Sequence, residues 1–471
     1  MNTLVMKFGG TSVGSSRAIR QTMNIIKEYQ KKGEQLVVVV SAMSGVTNLL
    51  ISCADDAVNG DTCGFIEKIE RIKAMHFDSI DELPYSDSSR IKVKESIEVW
   101  LDKLHNYCKS IQTMREITPR GMDAITSLGE RMNVRQISAL LTDQGIKNQF
   151  IDADQLIVTD DAFQNAHPLR DETLTKIQKT LNPLLENNVL PVITGFISAT
   201  SDGITTTLGR GGSDYTASIL GDCLDAREVW TWTDVDGVMT ADPSIVSDAR
   251  IISHLTYTEV SEMAYFGAKV LHPKTIRPLM EKDIPLRVKN TFNPSSDGTC
   301  IKGSVNEKLG QVTCVTTIPD VSLITVRGKG MLGVPGVAAR TFSAVAKEDA
   351  SVLMISQSSS EQSICFVIPR RDERRVVHSL EKELEFELTR GDIDAVYALS
   401  DVVIITAICA GMRYTPGVSA RIFGALGKKN INVIAIAQGS SEYSISMVVS
   451  EKEMKDAVRQ IHTEVIINGN D

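Results

Sequence analysis

No two of the eight cysteines (Cys53, Cys63, Cys108, Cys223, Cys300, Cys314, Cys365, Cys409) are spaced as C-x-x-C, and their scatter suits reduced core thiols better than disulfides or a zinc site. No run approaches the roughly 18 apolar residues of a membrane span. The start of the chain carries no cleavable signal pattern, so the reading is a cytosolic protein. An excess of positive charge is missing too: 59 acidic against 50 basic side chains leave a formal net charge of −9. Nucleic acid and anionic membrane, whose binding needs a basic face, are set aside as main partners, which leaves small molecules. No G-x-x-x-x-G-K-[ST] occurs, so a Walker-type phosphate loop is excluded. What is present is length for about three domains of roughly 150 residues. A hydrophobic content of 42% fills sizeable cores.

In Met6-Lys7-Phe8-Gly9-Gly10-Thr11-Ser12-Val13 an apolar strand runs into a Gly-Gly turn. Without Cβ atoms at Gly9 and Gly10 the main chain can approach an anion closely, and Thr11 and Ser12 add hydroxyl donors that can cap the next helix, Ser16 to Tyr29. Lys7 supplies positive charge beside a transferring phosphoryl group. Alone, such a turn is more often only a turn, so the rest of the chain decides. Gln35 to Val40 is a continuous β-branched run of the kind buried in a parallel sheet. Just past its carboxyl end, Ser41 and Thr47 fall where open α/β sheets bind ligands, with a capped loop as the alternative.

A helical excursion covers residues 65–112, interrupted at 81–89, and a helix spans 125–141. Glu130 in its first turns is either an aimed carboxylate or a complement to the helix dipole. Strands at 150–151 and 190–196 lead to a second glycine-rich turn, Gly209-Arg210-Gly211-Gly212-Ser213-Asp214, before a helix at 215–224. It alternates a fixed cation, bare backbone, a capping hydroxyl (Ser213) and a carboxylate. Two facing turns with Lys, Arg, Asp and Glu between them can hold a nucleotide and a small anionic substrate. A strand from Glu228 ends in Thr233-Asp234, and Lys269 precedes His272, which reads as structural. The last strand of this region is 284–288, and 293–303 reads as a boundary loop.

Beyond that loop the chain repeats itself. Pro335-Gly336-Val337 recurs as Pro416-Gly417-Val418, a register of 418 − 337 = 81, which also pairs Arg340 with Arg421, Val352 with Val433, Gln357 with Gln438 and Glu361 with Glu442. Each copy reads as the βαββαβ order of a ferredoxin-like fold, with its first strand at 322–326 or 403–407. The pair lacks a nucleophile, metal cluster or phosphate turn and reads as a binding or regulatory module. The expected fold is α/β: a mostly parallel open sheet sandwiched by helices over residues 1–297, then ferredoxin-like modules at 312–390 and 391–471 with room for strand exchange between them.

Five motifs in order carry a resemblance: Lys7 to Val13, Ser127-Leu128-Gly129-Glu130-Arg131, Gly209 to Asp214, Trp232-Thr233-Asp234-Val235, and Phe266-Gly267-Ala268-Lys269-Val270-Leu271-His272-Pro273. Over essentially its whole length the chain resembles the aspartokinases of the amino acid kinase family, and its tail resembles their paired ACT domains. The resemblance implies transfer of the ATP γ-phosphoryl group to the β-carboxylate of L-aspartate, with Mg²⁺. That is the first step of the aspartate-family amino acid pathway, regulated by an end product. Lys7 would neutralise the transferring group and Asp214 hold Lys7. Arg210 would clamp a substrate carboxylate and Glu130 its ammonium, with Ser41, Thr47, Gly211, Gly212 and Ser213 completing the substrate site. Gly9, Gly10, Thr11, Ser12, Thr233, Asp234 and Lys269 would contact ATP, and no protein residue is assigned to the metal.

An effector amino acid is expected at Gly333, Val337, Val352, Gln357, Val433 and Gln438. Threonine is favoured because the two glutamines are neutral, while Glu361 and Glu442 leave lysine open. Met239 stands where some relatives place a tyrosine and Ser244 where they place an arginine, so both are left off the site. The chain ends at Asp471 with no dinucleotide-binding turn read in it, which implies a form without a homoserine dehydrogenase domain. A homodimer or larger assembly is expected, since such modules bury exposed sheet edges. Glutamate 5-kinase and acetylglutamate kinase share the sheet but explain neither the tail nor the second turn. A catalytically inactive amino-acid sensor would have no use for Lys7, Glu130, Arg210 and Asp214 together.

Overall fold

The computed structural model describes residues 3–268, 271–304, 310–331, 336–357, 362–438 and 443–470. The chain divides into two compact units, the first made of Met1–Val238, Ser253–Tyr257 and Leu271–Val305, the second of Met239–Ile252, Thr258–Val270 and Asn306–Asp471.

The first unit opens with β1 (Thr3–Phe8), α1 (Ser16–Lys31) and β2 (Gln35–Val40), whose valine run pairs parallel with β1. The polar excursion is three helices, α2 (Val46–Asn59), α3 (Thr62–Glu82) and α4 (Asp87–Met114), and the helix expected at 125–141 is two, α5 (Pro119–Thr126) and α6 (Leu128–Asp143). The signal for α5 was in the sequence: Thr118 caps it through Gly121 N–H and Pro119 fills its first position. Then follow β3 (Asn148–Ile151), β4 (Val158–Thr159), α7 (Arg170–Glu186), β5 (Leu190–Thr194), β6 (Ile197–Thr200), β7 (Thr205–Thr207), α8 (Gly212–Cys223), β8 (Glu228–Thr233) and β9 (His254–Thr256). After α9 (Tyr257–Tyr265), which from Thr258 on belongs to the second unit, the first unit resumes with α10 (Pro273–Met280), β10 (Leu286–Asn290) and β11 (Thr299–Lys302). The last is a strand inside the expected boundary loop; four residues flanked by glycines leave too short a run for a period to show.

The main sheet runs β3-β5-β2-β1-β8-β10-β11-β9, parallel except where β11 pairs antiparallel with β10. From β1 the chain winds outward to one side through β2 and to the other through β8, so the winding reverses between β1 and β8, whose carboxyl ends open onto the crevice where such sheets bind ligands. A separate small sheet joins β4, β6 and β7. Among the described residues no helix is long and apolar enough to cross a membrane.

The second unit contains β12 (Val312–Arg327), α11 (Val337–Lys347), β13 (Met354–Gln357), β14 (Ser363–Pro369), α12 (Glu373–Glu383), α13 (Glu385–Arg390), β15 (Ala395–Cys409), α14 (Val418–Lys428), β16 (Ala435–Ala437), β17 (Ser444–Ser450) and α15 (Met454–Ile461). The elements recur at the offset of 81: α11 and α14 start at 337 and 418, β14 and β17 at 363 and 444. They form one antiparallel sheet, β13-β14-β12-β15-β17-β16. β12 and β15 are far longer than the five-residue strands read in the sequence. The Val321–Arg327 half of β12 pairs with β14 and with Ala395–Val402, while its Val312–Ile318 half pairs with Ile404–Cys409. The register shifts around Pro319 and Asp320, where φ reaches 56°.

Three apolar clusters fill this unit, one under the helices of each copy and a third, including Val321, Leu323, Met354, Val367, Val402, Ile404 and Val448, shared by both. The 239–252 segment adds Ala241, Ile245 and Val246 to the second copy's core, and Thr240 Oγ1 lies 2.9 Å from His462 Nε2. Contrary to the expectation of no dinucleotide-binding turn, the tail spells one G-x-G-x-x-G, Gly328 to Gly333. A Cβ at Gly328 would lie 2.4 Å from Asp392 O and one at Gly330 2.6 Å from Asp392 Cα, so these two glycines serve close packing.

Candidate active site

A cavity of about 380 Å³ in the first unit is lined by Lys7, Gly10, Ser41, Thr47, Glu130, Phe196, Gly211, Gly212, Ser213 and Asp214, residues taken from five separate stretches of sequence. Lys7, one residue before the end of β1 and 8% exposed, places Nζ 2.7 Å from Asp214 Oδ1 in the first turn of α8. Helix α6 grips the loop after β2 by a single peptide unit: Asn133 Nδ2 donates to Ser41 O at 2.6 Å, and Ala42 N–H donates to Glu130 Oε1 at 3.2 Å. Glu130 is 3% exposed and its Oε2 has no hydrogen-bond partner among the described residues. Burial pushes its carboxyl up to about 8. Asn133 was missed in the sequence, although its spacing from Glu130 puts the two on one helix face.

Other expected residues are placed differently. Ser12 is fully buried and off the cavity lining, its Oγ donating to Trp232 O at 3.1 Å and accepting from Thr291 Oγ1 at 2.7 Å, so its hydroxyl braces the turn. Neither Thr11 nor Ser12 caps α1; Ser15 does, through Ala18 N–H at 3.2 Å. Ser213 is not a cap either, because α8 starts one residue earlier behind a left-handed Gly211. Gly9 is buried, with its N–H on Trp232 O at 3.0 Å. Thr11 is exposed beside the turn.

Arg210 is exposed at its turn, outside the cavity lining, and forms no ion pair among the described residues. Thr233 and Asp234 bond to each other at 3.0 Å just past β8. His272 caps α10, its Nδ1 accepting from Lys274 N–H at 3.2 Å, as a structural histidine would. Met239 and Ser244 belong to the second unit, where Ser244 Oγ bonds Asp242 at 2.6 Å. Lys269 and Gly333 lie outside the described residues.

Of the expected effector residues, Val337 is the buried first residue of α11, behind Gly336 at φ 93°. Val352 and Val433 fall just before β13 and β16, and Gln357 is exposed at the end of β13. Gln438, just past β16, puts Nε2 3.7 Å from Met412 Sδ. Among the described residues no group of three or more His, Cys, Asp or Glu side chains is placed to hold a metal ion.

The model of the amino acid kinase family matches residues 2–290, and that of an ACT domain matches 324–384 and 405–465, two segments again 405 − 324 = 81 residues apart. The chain is 37% identical over 469 residues to bifunctional aspartokinase/homoserine dehydrogenase 2, chloroplastic, of Zea mays, covering 98% of this chain and 50% of that one. It is 35% identical to aspartokinase 2, chloroplastic, of Arabidopsis thaliana, covering 98% and 84%. Aspartokinase III of E. coli, 29% identical, aligns at a TM-score of 0.81 both in complex with aspartate and ADP (R-state; 98% of this chain, 99% of that one) and with lysine and aspartate (T-state; 99% and 100%). The chain spans about half the length of the bifunctional relatives. Sheet, cavity and matched segments define an amino acid kinase followed by two ACT segments. Within the amino acid kinase family, the chain belongs to the aspartokinases.

Proposed function

We propose that the chain transfers the γ-phosphoryl group of ATP to the β-carboxylate of L-aspartate, giving 4-phospho-L-aspartate and ADP. The carrying observation is the buried, unpaired Glu130 Oε2 in the same cavity as the Lys7–Asp214 ion pair, a seat for an ammonium beside a seat for a phosphoryl group. A β-carboxylate oxygen bonds to the γ-phosphorus as the bond to the β,γ-bridging oxygen breaks, and the electron pair leaves on ADP. Both reactants are anions, so the protein's task is to position them and neutralise charge. Lys7 meets the transferring group and Asp214 holds Lys7 in place. Glu130 takes the substrate ammonium, Arg210 its α-carboxylate, and Ser41, Thr47 and Ser213 give hydroxyl bonds. Gly9, Gly10, Thr11, Thr233, Asp234 and Lys269 serve the nucleotide. Mg²⁺ enters as the ATP complex, its ligands largely phosphate oxygens and water.

The likeness to an aspartokinase holding aspartate and ADP supports this reading. A coupled ADP-release assay tests it: ADP forms with aspartate and not with glutamate or without acceptor, and equal rates in all three overturn it.

The repeated sheet is read as an effector site for an end-product amino acid, threonine ahead of lysine, in a homodimer or larger assembly. A reducing cytosol fits the buried thiols of Cys53, Cys108 and Cys223, which burial pushes up to about 12.

A further inference from the structure

Arg210 stands between two glycines in the left-handed region, Gly209 at φ 77° and Gly211 at φ 70°, so its turn has unusual backbone freedom. Its order has to come from the walls. On one side a Cβ at Gly209 would lie 3.0 Å from both Asn165 Oδ1 and Gln164 O; on the other, a Cβ at Gly211 would lie 3.0 Å from Thr275 Cγ2 and 3.2 Å from His272 Cβ. One side chain ties the walls together. Lys274, in the first turn of α10, donates from Nζ to Asn165 Oδ1 at 2.8 Å and reaches Ala166 O at 3.5 Å. Its ammonium also lies 5.4 Å from the Tyr215 ring centre on α8. The Asn165 wall is anchored separately by Asp123, which is fully buried and accepts from Gln164 N–H at 2.9 Å and from Thr207 N–H at 3.0 Å.

We propose that Lys274 is a positioning residue for Arg210: it clamps the 164–166 segment to the start of α10 and so fixes the turn between them, setting the grip on the substrate's carboxylate. The proposal rests on the role given to Arg210 above. Lys274→Met keeps the aliphatic stem and removes the tie. KM for aspartate then rises roughly tenfold, the scale of a small misplacement of a binding group, while kcat and KM for ATP hold. Lys274→Arg, which can still donate to both acceptors, recovers part of the loss. Lys274→Met combined with Asn165→Ala is no worse than either alone, because both remove the same tie.

An unchanged KM for aspartate overturns the proposal, as does an equal rise in KM for ATP, which would make Lys274 a nucleotide contact. If Lys274→Met fails to fold, Asn165→Ala carries the same comparison. Amide hydrogen exchange over residues 208–212 gives a readout free of substrate: exchange speeds up in Lys274→Met if the clamp exists, and an unchanged rate overturns it. A wild-type chain that does not turn over aspartate sinks the proposed substrate instead, and the exchange rates still judge the clamp.

Discussion

A carboxyl group that burial holds at about 8 is protonated at neutral pH in the free protein, and an arriving ammonium reverses that preference. Aspartate binding near pH 7 should therefore release close to one proton from Glu130, visible by calorimetry in two buffers of different ionisation enthalpy. Glu130→Gln should abolish the release and weaken aspartate binding; an identical release in that variant would assign the proton elsewhere. For the unliganded fold the raised value means that the group's contribution to stability is complete below its ordinary 4.5 and is lost as pH rises through about 8. Lys7→Ala should lower kcat on the order of a hundredfold, the usual cost of losing one charge-stabilising group. Because Lys7 is buried against Asp214, the melting temperature should fall as well; near-normal kcat would remove Lys7 from the reaction. Lys7, Glu130 and Asp214 were legible because each sits in a short motif at a strand end or helix start. Asn133 and Thr291 were not: their partners, Ser41 and Ser12, lie 92 and 279 residues away, and no local pattern marks such pairs.

Among the elements, β12 and β15 belong to both copies of the repeat, and the cluster around Ile404 touches strands of each. Ile404→Ala removes fully buried methyl groups and should cost about 2–5 kcal/mol. Hydrogen exchange should then quicken in β14 and β17 together, whereas an effect confined to β17 would show that the copies open independently. The sequence yielded the order of these elements through the 81-residue register but cut the two long strands short. Pro319 and the left-handed Asp320 break the alternation in β12, so only the part beyond them, 322–326, reads as a strand in the sequence. Only pairing with β15, whose partner residues come about 90 positions later, makes it a strand.

For the whole molecule, an effector acting through a coupled site must bind less tightly when substrates favour the other state. Threonine and lysine titrated separately by calorimetry, with and without aspartate plus a non-hydrolysable ATP analogue, should show threonine binding that weakens when substrates are present. Tighter binding of lysine would reverse the preference drawn from Gln357 and Gln438, and no heat from either would leave the tail an assembly role only.

The pairing of Val315 with Ala407 also sets a clock on synthesis. The two residues are 407 − 315 = 92 apart, so at roughly 5–20 residues per second the first half of β12 waits some 5 to 18 s on the ribosome for its partner. During that wait Val312, Cys314 and Val315, all buried in the finished sheet, are open to any passing strand. Slower translation between codons 318 and 404 should therefore lower the share of chains that reach the native form, as the soluble yield of slow-codon and fast-codon versions of that stretch would show.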